Sequence, residues 1–376
     1  MRVMVVYGTR PEALKLAPVV QRLRGSRTLD PVVCTTGQHL ELVSAVQALF
    51  GIRADLELPV VEPSREPTLT DGVARIVAGI GEHLRAARPA AVIVQGDTTS
   101  AFAAALAAFY EQIPVAHVEA GLRTRQMTSP FPEEAHRALT SKLARWHFAP
   151  TLDARAQLLR EGIDDDRILV TGNTVIDALE AVRPHLPPLS EAMRGLGTPL
   201  AAHERLVLVT AHRRESFGAP LRRLCRAIQA MTRLFPDLRV VWPVHPNPEV
   251  RSVVYDALGG CDAVTLTEPL AYPRFLALLR GAWLTLTDSG GVQEEAPCLG
   301  APLLVLRDIT ERREAVASGN ARLVGNDGAS LLAEVTRLVA DPAERQALAS
   351  PRALYGDGQA SAQIVERLER DLGGRE

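Results

Sequence analysis

The sequence predicts an α/β protein built as two doubly wound parallel-sheet domains facing one another across a cleft. Three observations carry this. Short β-branched runs alternate with longer helical patterns from one end of the chain to the other. The strand runs are near-continuously apolar, which fits sheets covered on both faces rather than one wetted face. The alternation breaks once, in the Pro- and Gly-rich stretch 183–205, and then restarts. The boundaries expected are 1–178 for the first domain and 179–357 for the second, with residues 358–376 docking back on the first.

In chain order, the first half offers strands in "VMVVYG" (3–8), "PVVCTTG" (31–37), "AVIVQGD" (91–97), "PVAHVEAG" (114–121), "WHFAP" (146–150) and "RILVTGN" (167–173). Helical windows such as "PEALKLAPVVQRLRG" and "TTSAFAAALAAFYEQ" separate them. The second half offers "RLVLVTAH" (205–212), "LRVVWPVHP" (238–246), "AVTLTEP" (263–269), "WLTLTDSGG" (283–291), "PLLVL" (302–306) and "ARLVG" (321–325). The tail "GQASAQIVERLERDL" (358–372) reads as an amphipathic helix. Pro297 lacks an N–H and is placed in the first turn of a helix starting near Glu294. That leaves Asp288, Ser289, Gly290 and Gly291 as a loop.

Composition narrows the function. With 376 residues and 47% hydrophobic content the chain can build two real cores, and a net charge of −2 gives no field to draw in nucleic acid. The longest apolar stretch, "AFAAALAAF" (101–109), falls far short of the ~20 residues needed to span a bilayer. "MRVMVVYGTRPEALK" reaches Gly8 too soon for a signal peptide's apolar region. Four scattered cysteines without a CxxC point to reduced thiols and hence the cytoplasm. No H-x-x-x-H pairing suggests a metal, and no cofactor is expected.

Ligands of such sheets bind at the carboxyl ends of strands, so residues directly after strands are the candidates. In "YGTRPEALK" Thr9 and Glu12 match a capping box, which suffices for a helix start. Arg10 and Lys15, however, place two cations where the helix dipole disfavours them, which argues for an anionic ligand. "VQGDTTS" ends a strand on Asp97, either a helix cap or an acid. "HVEAGLRT" brings His117, Glu119 and Arg123 to the next strand end. "SPFPEEAHRA" opens a helix with Glu133 and Glu134, and Arg137 lies one turn on, spaced for an ion pair with Glu133. Asp97, Glu119 and Glu133 together could remove and deliver protons. "TAHRRESFG" sets His212, Arg213 and Arg214 after a strand, suited to a diphosphate. His245 in "PVHPNPEV" fits a rigid turn as well as a ligand contact. "IDDDR" (163–167) precedes its strand, at the wrong sheet edge, and reads as a solvated acidic loop. Neither G-x-G-x-x-G nor a P-loop is present.

These motifs closely resemble the non-hydrolysing UDP-N-acetylglucosamine 2-epimerases of two-domain GT-B architecture. The resemblance spans "GTRPEALKLAP", "TGQH", "GDTTS", "HVEAGLRT", "SPFPEE", "TGNTVIDAL", "TAHRRESFG", "PVHPNP", "LTDSGGVQEEAP" and "YGDGQAS" in order, essentially the whole chain. It implies two Rossmann-like domains, the second binding UDP, and reversible C2 inversion of UDP-N-acetylglucosamine to UDP-N-acetylmannosamine. UDP would be eliminated to leave a 2-acetamidoglucal and then added back, in a pathway supplying cell-surface polysaccharide. It implies Asp97, Glu119 and Glu133 as the acid/base set, Arg137 orienting them and His212 near the diphosphate. Arg10 and Lys15 would bind substrate; Ser289, Gly290, Gly291, Glu295 and Arg312 would hold UDP, with Phe275 near the uracil. Glu295 would take the ribose hydroxyls, leaving Glu294 to complement the helix terminus. Gln38 and His39 match an activator site for a second nucleotide sugar, and a homodimer is implied.

The chain departs from the family pattern at Leu270 (often glutamine), Arg313 (usually proline) and Arg125 (a glycine in "LRTG"). Glu41 and "REPTL" (65–69) lack the glutamines and arginine of the activator site. A GT-B glycosyltransferase would share the UDP grip but need an acceptor. A hydrolysing epimerase would release free N-acetylmannosamine and UDP, and a silent sensor would have no use for three carboxylates.

Overall fold

The computed structural model describes residues 1–38, 40–59, 68–197, 200–211, 213 and 217–374. The chain divides into two compact units, Met1–Ala181 with Tyr355–Glu376, and Val182–Leu354.

The first unit carries strands β1 (Arg2–Tyr7), β2 (Asp30–Thr35), β3 (Leu56–Glu57), β4 (Ala91–Gln95), β5 (Val115–Val118), β6 (Trp146–Ala149) and β7 (Ile168–Val170). Among the described residues they form one sheet in the order β3-β2-β1-β4-β5-β6-β7, with parallel pairing. The second unit holds β8 (Arg205–Thr210), β9 (Leu238–Pro243), β10 (Val264–Thr267), β11 (Leu284–Thr287), β12 (Leu303–Val305) and β13 (Ala321–Leu323). Their order is β10-β9-β8-β11-β12-β13, again parallel. All twelve strands expected from the alternation are present. The two-residue edge strand β3 is additional, too short to show any periodicity.

Each sheet reverses its winding once, between β1 and β4 in the first unit and between β8 and β11 in the second. These are the switch points where loops part and leave a crevice at the strand ends. The sheets are buried on both faces: Val3 to Tyr7 and Leu206 to Val209 are essentially inaccessible. That burial is why their sequences read as unbroken apolar runs rather than alternations.

The interrupted stretch at 183–205 packs as part of the second unit. A short helix, Leu189–Ala192, lies against the helix Tyr272–Gly281, and Arg274 Nε donates to Ala192 O at 2.8 Å. The tail forms the helix Ala360–Gly373, burying Ile364, Val365, Leu368 and Leu372. It packs on the helix Arg10–Arg24, and Trp146 Nε1 donates to Asp371 at 2.8 Å.

Two histidines sit side by side inside the first sheet, His117 on β5 paired in register with His147 on β6. Both are fully buried, and burial drives His117 down to about 4 and His147 to about 3. Nε2 of His117 donates to Gly96 O at 2.8 Å, so this residue braces a loop rather than ending at the ligand side. Because both folded values lie below the ordinary 6.5, the unfolded chain binds more protons once pH drops below that value. Stability is therefore complete above about pH 6.5 and declines as pH falls, by roughly 1.4 kcal/mol per unit for each ring. Urea unfolding should show a loss of about 4 kcal/mol from this pair between pH 7 and pH 5. His147→Leu should remove about half of that slope.

Candidate active site

In the first unit the candidate residues gather at the ends of β1, β4 and β5. Thr9 precedes the helix Arg10–Arg24, and its N–H and hydroxyl both donate to Glu12 Oε2 at 2.8 Å. The predicted capping box is thus formed, but Glu12 does more than cap. It accepts from Gly8 N at 3.0 Å and from the Thr98 hydroxyl after β4, so a buried carboxyl staples both sides of the switch point. Burial outweighs these donors and raises its pKa. Gly8 allows the close approach, since a Cβ there would lie 2.1 Å from the hydroxyls of Thr36 and Ser100.

Glu119 follows β5 with φ +63°, a left-handed conformation costing a non-glycine residue roughly 1–2 kcal/mol. Its side chain is well determined. Oε2 takes an ion pair from Lys15 and a hydrogen bond from Asn173 Nδ2 at 2.8 Å. Lys15 and Glu119 are both buried, and their mutual attraction offsets part of the desolvation cost. Arg10 lies half-buried at the first position of the same helix as Lys15.

Asp97, half-buried after β4, forms an ion pair with Arg137 of the helix Glu133–Leu143. The Arg137 guanidinium is buried and also approaches Glu134 at 3.4 Å. Helical spacing gave no sign of this pair, whose members lie forty residues apart. Glu133 stands half-buried at the first residue of its helix. Glu134 holds the loop ahead of that helix, accepting from Thr124 N at 3.0 Å and Arg125 N at 2.8 Å. Arg125 has φ +65°, the backbone geometry that explains a glycine at this position in the family pattern. It is anchored there by Gln157 Oε1, which accepts from its Nη2 at 2.6 Å. Arg123 turns away to Glu161, with Nε–Oε1 at 2.7 Å, and has a structural role. Gln38 accepts from Ser100 Oγ at 3.0 Å; His39 lies outside the described residues.

In the second unit the expected loop at 288–291 is shorter. The helix begins at Gly290 and runs to Leu299, with Ser289 as its N-cap and Pro297 inside it. The placement near Glu294 is therefore corrected by one turn. Pro297 lies near the C-terminal end of the helix, and its carbonyl accepts from Gly300 N and Arg352 N. Gly290 and Gly291 consequently present N–H groups of a first helical turn, donors with the dipole behind them.

Arg312 lies against that turn. A Cβ on Gly290 would fall 2.6 Å from its guanidinium carbon. The guanidinium is buried and held by Glu311 and by Glu294, whose Oε1 accepts from Nε at 2.9 Å. Glu294 is thus an anchor for Arg312 rather than a complement to the helix end. Glu311 is shared with Arg307 at 2.8 Å and Arg213 at 3.4 Å. Asp288 Oδ2 accepts from Arg213 N at 2.9 Å, stitching the loop after β11 to the loop after β8. Glu295 is buried and accepts from the Tyr272 hydroxyl at 2.7 Å. Phe275 lies half-buried on Tyr272's helix, whose predecessor Leu270 is nearly buried. Arg313 opens the helix Arg313–Ala317, a first-turn position that suits the family's proline because the N–H is unused there.

His212 and Arg214, expected near a diphosphate, lie outside the described residues. His245 holds its own turn, with Nδ1 accepting from Asn247 N at 3.2 Å. The acidic run Asp164 to Asp166 is exposed ahead of β7, and Asp165 pairs with Arg155 at 2.7 Å. Among the described residues no His, Cys, Asp and Glu cluster suits a metal ion. Sequence reasoning missed Tyr272, Glu311 and Asn173. Tyr272 and Glu311 leave no periodic signal; Asn173 lies in the turn after β7, close enough to a strand end for that rule to reach it.

The arrangement offers two chemistries. One unit carries carboxylates individually paired with cations; the other carries a helix N-terminus, an anchored arginine and a tyrosine-oriented acid. The family model for UDP-N-acetylglucosamine 2-epimerase matches residues 21–369. The chain is 47% identical to the UDP-N-acetylglucosamine 2-epimerase of Escherichia coli K12, over 99% of both chains. The crystal structure of the Neisseria meningitidis enzyme bound to UDP-GlcNAc superposes with a TM-score of 0.95 at 43% identity, covering 98% of this chain and 100% of that one. The Methanocaldococcus jannaschii enzyme, in complex with UDP-GlcNAc and UDP, gives 0.87 at 30% identity, covering 98% and 100%.

Gly290→Ala tests the close packing of the second unit. The added methyl must displace a guanidinium that two glutamates hold, so the variant should lose about 1–3 kcal/mol in chemical denaturation. Wild-type stability would mean the guanidinium moves freely.

Proposed function

The chain belongs to the UDP-N-acetylglucosamine 2-epimerase family and is an isomerase, and from that premise we propose how its residues divide the reaction. The C2 proton of the sugar has no adjacent carbonyl to acidify it, so direct inversion is unfavourable. In the proposed course a base removes that proton, the C2–H electrons form the C1=C2 double bond, and UDP leaves with the C1–O pair. The 2-acetamidoglucal then takes a proton at the opposite face of C2 while a diphosphate oxygen of UDP re-forms the bond to C1. The product is UDP-N-acetylmannosamine, and no cofactor is consumed.

The observation that carries this reading is the set of cation-paired acids after the strands of the first unit. Lys15 beside Glu119 and Arg137 beside Asp97 favour the ionised carboxylates that proton removal requires. With Glu133 they supply groups for both faces of C2, acting as a coupled set. Arg10 and Lys15 bind the anionic substrate. In the second unit Ser289, Gly290 and Gly291 donate to the diphosphate beside Arg312, with His212 near it. Glu295, oriented by Tyr272, accepts the ribose hydroxyls, and Phe275 flanks the uracil. The enzyme works as a homodimer in the cytoplasm and supplies a sugar donor for cell-surface polysaccharide. All four cysteines are free, in keeping with a reducing compartment.

Incubation with UDP-N-acetylglucosamine alone in heavy water should place deuterium at C2 of both nucleotide sugars. Exchange that requires an acceptor, or sustained net release of UDP, would contradict the proposal. Asp97→Asn and Glu119→Gln should each lower turnover by about 10²–10⁴-fold. Calorimetry should find their UDP binding preserved. A variant turning over at a near-normal rate removes its residue from the acid/base set.

A further inference from the structure

We propose that Asn173 is a positioning residue for the reaction: its side-chain amide holds Glu119 as an oriented carboxylate, and its backbone fastens that carboxylate to the returning C-terminal segment. The proposal rests on the reading of Glu119 as a proton-handling group.

Asn173 lies in the short turn after β7, immediately before the helix Thr174–Val182. Its Oδ1 accepts from Val175 N at 3.1 Å, the bond of a helix cap. That commitment fixes which way the amide points. Nδ2, which the cap does not use, faces Glu119 Oε2 at 2.8 Å. A cap alone needs only an oxygen, so serine would serve it equally. Asn173 is almost wholly buried, and the amide lies in a dry setting where one hydrogen bond to a charge has a large effect. Lys15 reaches the same oxygen. Two donors converging on Oε2 favour the ionised form and orient the carboxylate. Glu119 also acts on the buried His117, which Asp97 and Arg123 influence as well.

The backbone of Asn173 is held independently. Its N–H donates to Tyr355 O at 2.6 Å. This contact needs two glycines: a Cβ on Gly172 would lie 2.8 Å from the Gly356 Cα, and both residues have positive φ. One turn along the helix, Asp177 accepts from Ala360 N at 3.2 Å and Ser361 N at 2.7 Å. The segment "YGDGQAS" therefore sets the position of the residue that aims Glu119. Its place among the family motifs acquires a physical reason.

Asn173→Ser separates the two roles, because serine keeps the cap but is too short to reach Glu119. The expected result is a thermal midpoint close to wild type, unchanged UDP affinity and a kcat about tenfold lower. The limb of the kcat–pH profile that Glu119 contributes should move upward by about one pH unit, since losing a donor raises its pKa. That direction is the same whether Glu119 removes or delivers the proton. Asn173→Asp, which also caps but sets a second carboxylate beside Oε2, should move the limb further. A Ser variant with wild-type kcat and an unmoved limb overturns the proposal. So does an Asn173→Ala variant that loses stability while its profile stays in place. Glu119→Gln, assayed in parallel, separates the layers: near-normal turnover there sinks the role of Glu119 itself. An inactive Glu119→Gln beside an unmoved Ser profile sinks only Asn173.

Discussion

The structure depends on one electrostatic constraint: a charge taken out of water at a strand end must meet a counter-charge there. An unpaired buried ion costs several kcal/mol, a large share of a domain's net stability. Glu119 is buried with Lys15, Arg137 with Asp97 and Glu134, and Arg312 with Glu294 and Glu311. Lys15 with Glu119, Arg137 with Asp97 and Arg312 with Glu294 join different elements, so these ion pairs form only when the sheet is correctly wound. The same pairs that stabilise the loops hold the carboxylates in place and set the Arg312 guanidinium beside a helix N-terminus.

The two units solve the same mechanical problem with different residues. A doubly wound sheet opens at its switch point, where neighbouring loops leave in opposite directions and share no ladder bonds. In the first unit Glu12 bridges the gap, taking donors from Gly8 and Thr9 on one side and Thr98 on the other. In the second, Asp288 on one side accepts from the Arg213 backbone on the other. Each staple is a fully buried acid that touches backbone or hydroxyl groups. These acids serve as scaffolding for the strand-end loops.

Much of this was legible in the chain. Apolar runs of strand length located every strand except β3, whose two residues carry no period. The strand-end rule selected Asp97, Glu119 and the turn at 288–291 before any contact was known. Local rules failed where a distant partner decided the outcome. Pro297 suggested a helix start at Glu294, yet the helix begins at Gly290, whose missing side chain leaves room for Arg312. Helical spacing could not announce that Asp97, forty residues earlier, pairs with Arg137. Glu294 and Glu295 are adjacent and alike in sequence; one anchors an arginine and the other receives a tyrosine hydroxyl.

The sequence by itself determined the parallel two-sheet fold, the family and the residue types after each strand. Those features follow from the burial of both sheet faces and from short-range backbone rules, which act within a few residues. Only the tertiary structure decided which oxygen each donor meets and which acid is staple or site. It also decided why Asn173 is more than a cap. Those outcomes depend on groups that lie far apart along the chain, as with Asn173 and Glu119, and meet only when the packed sheet brings two strand ends within hydrogen-bonding distance.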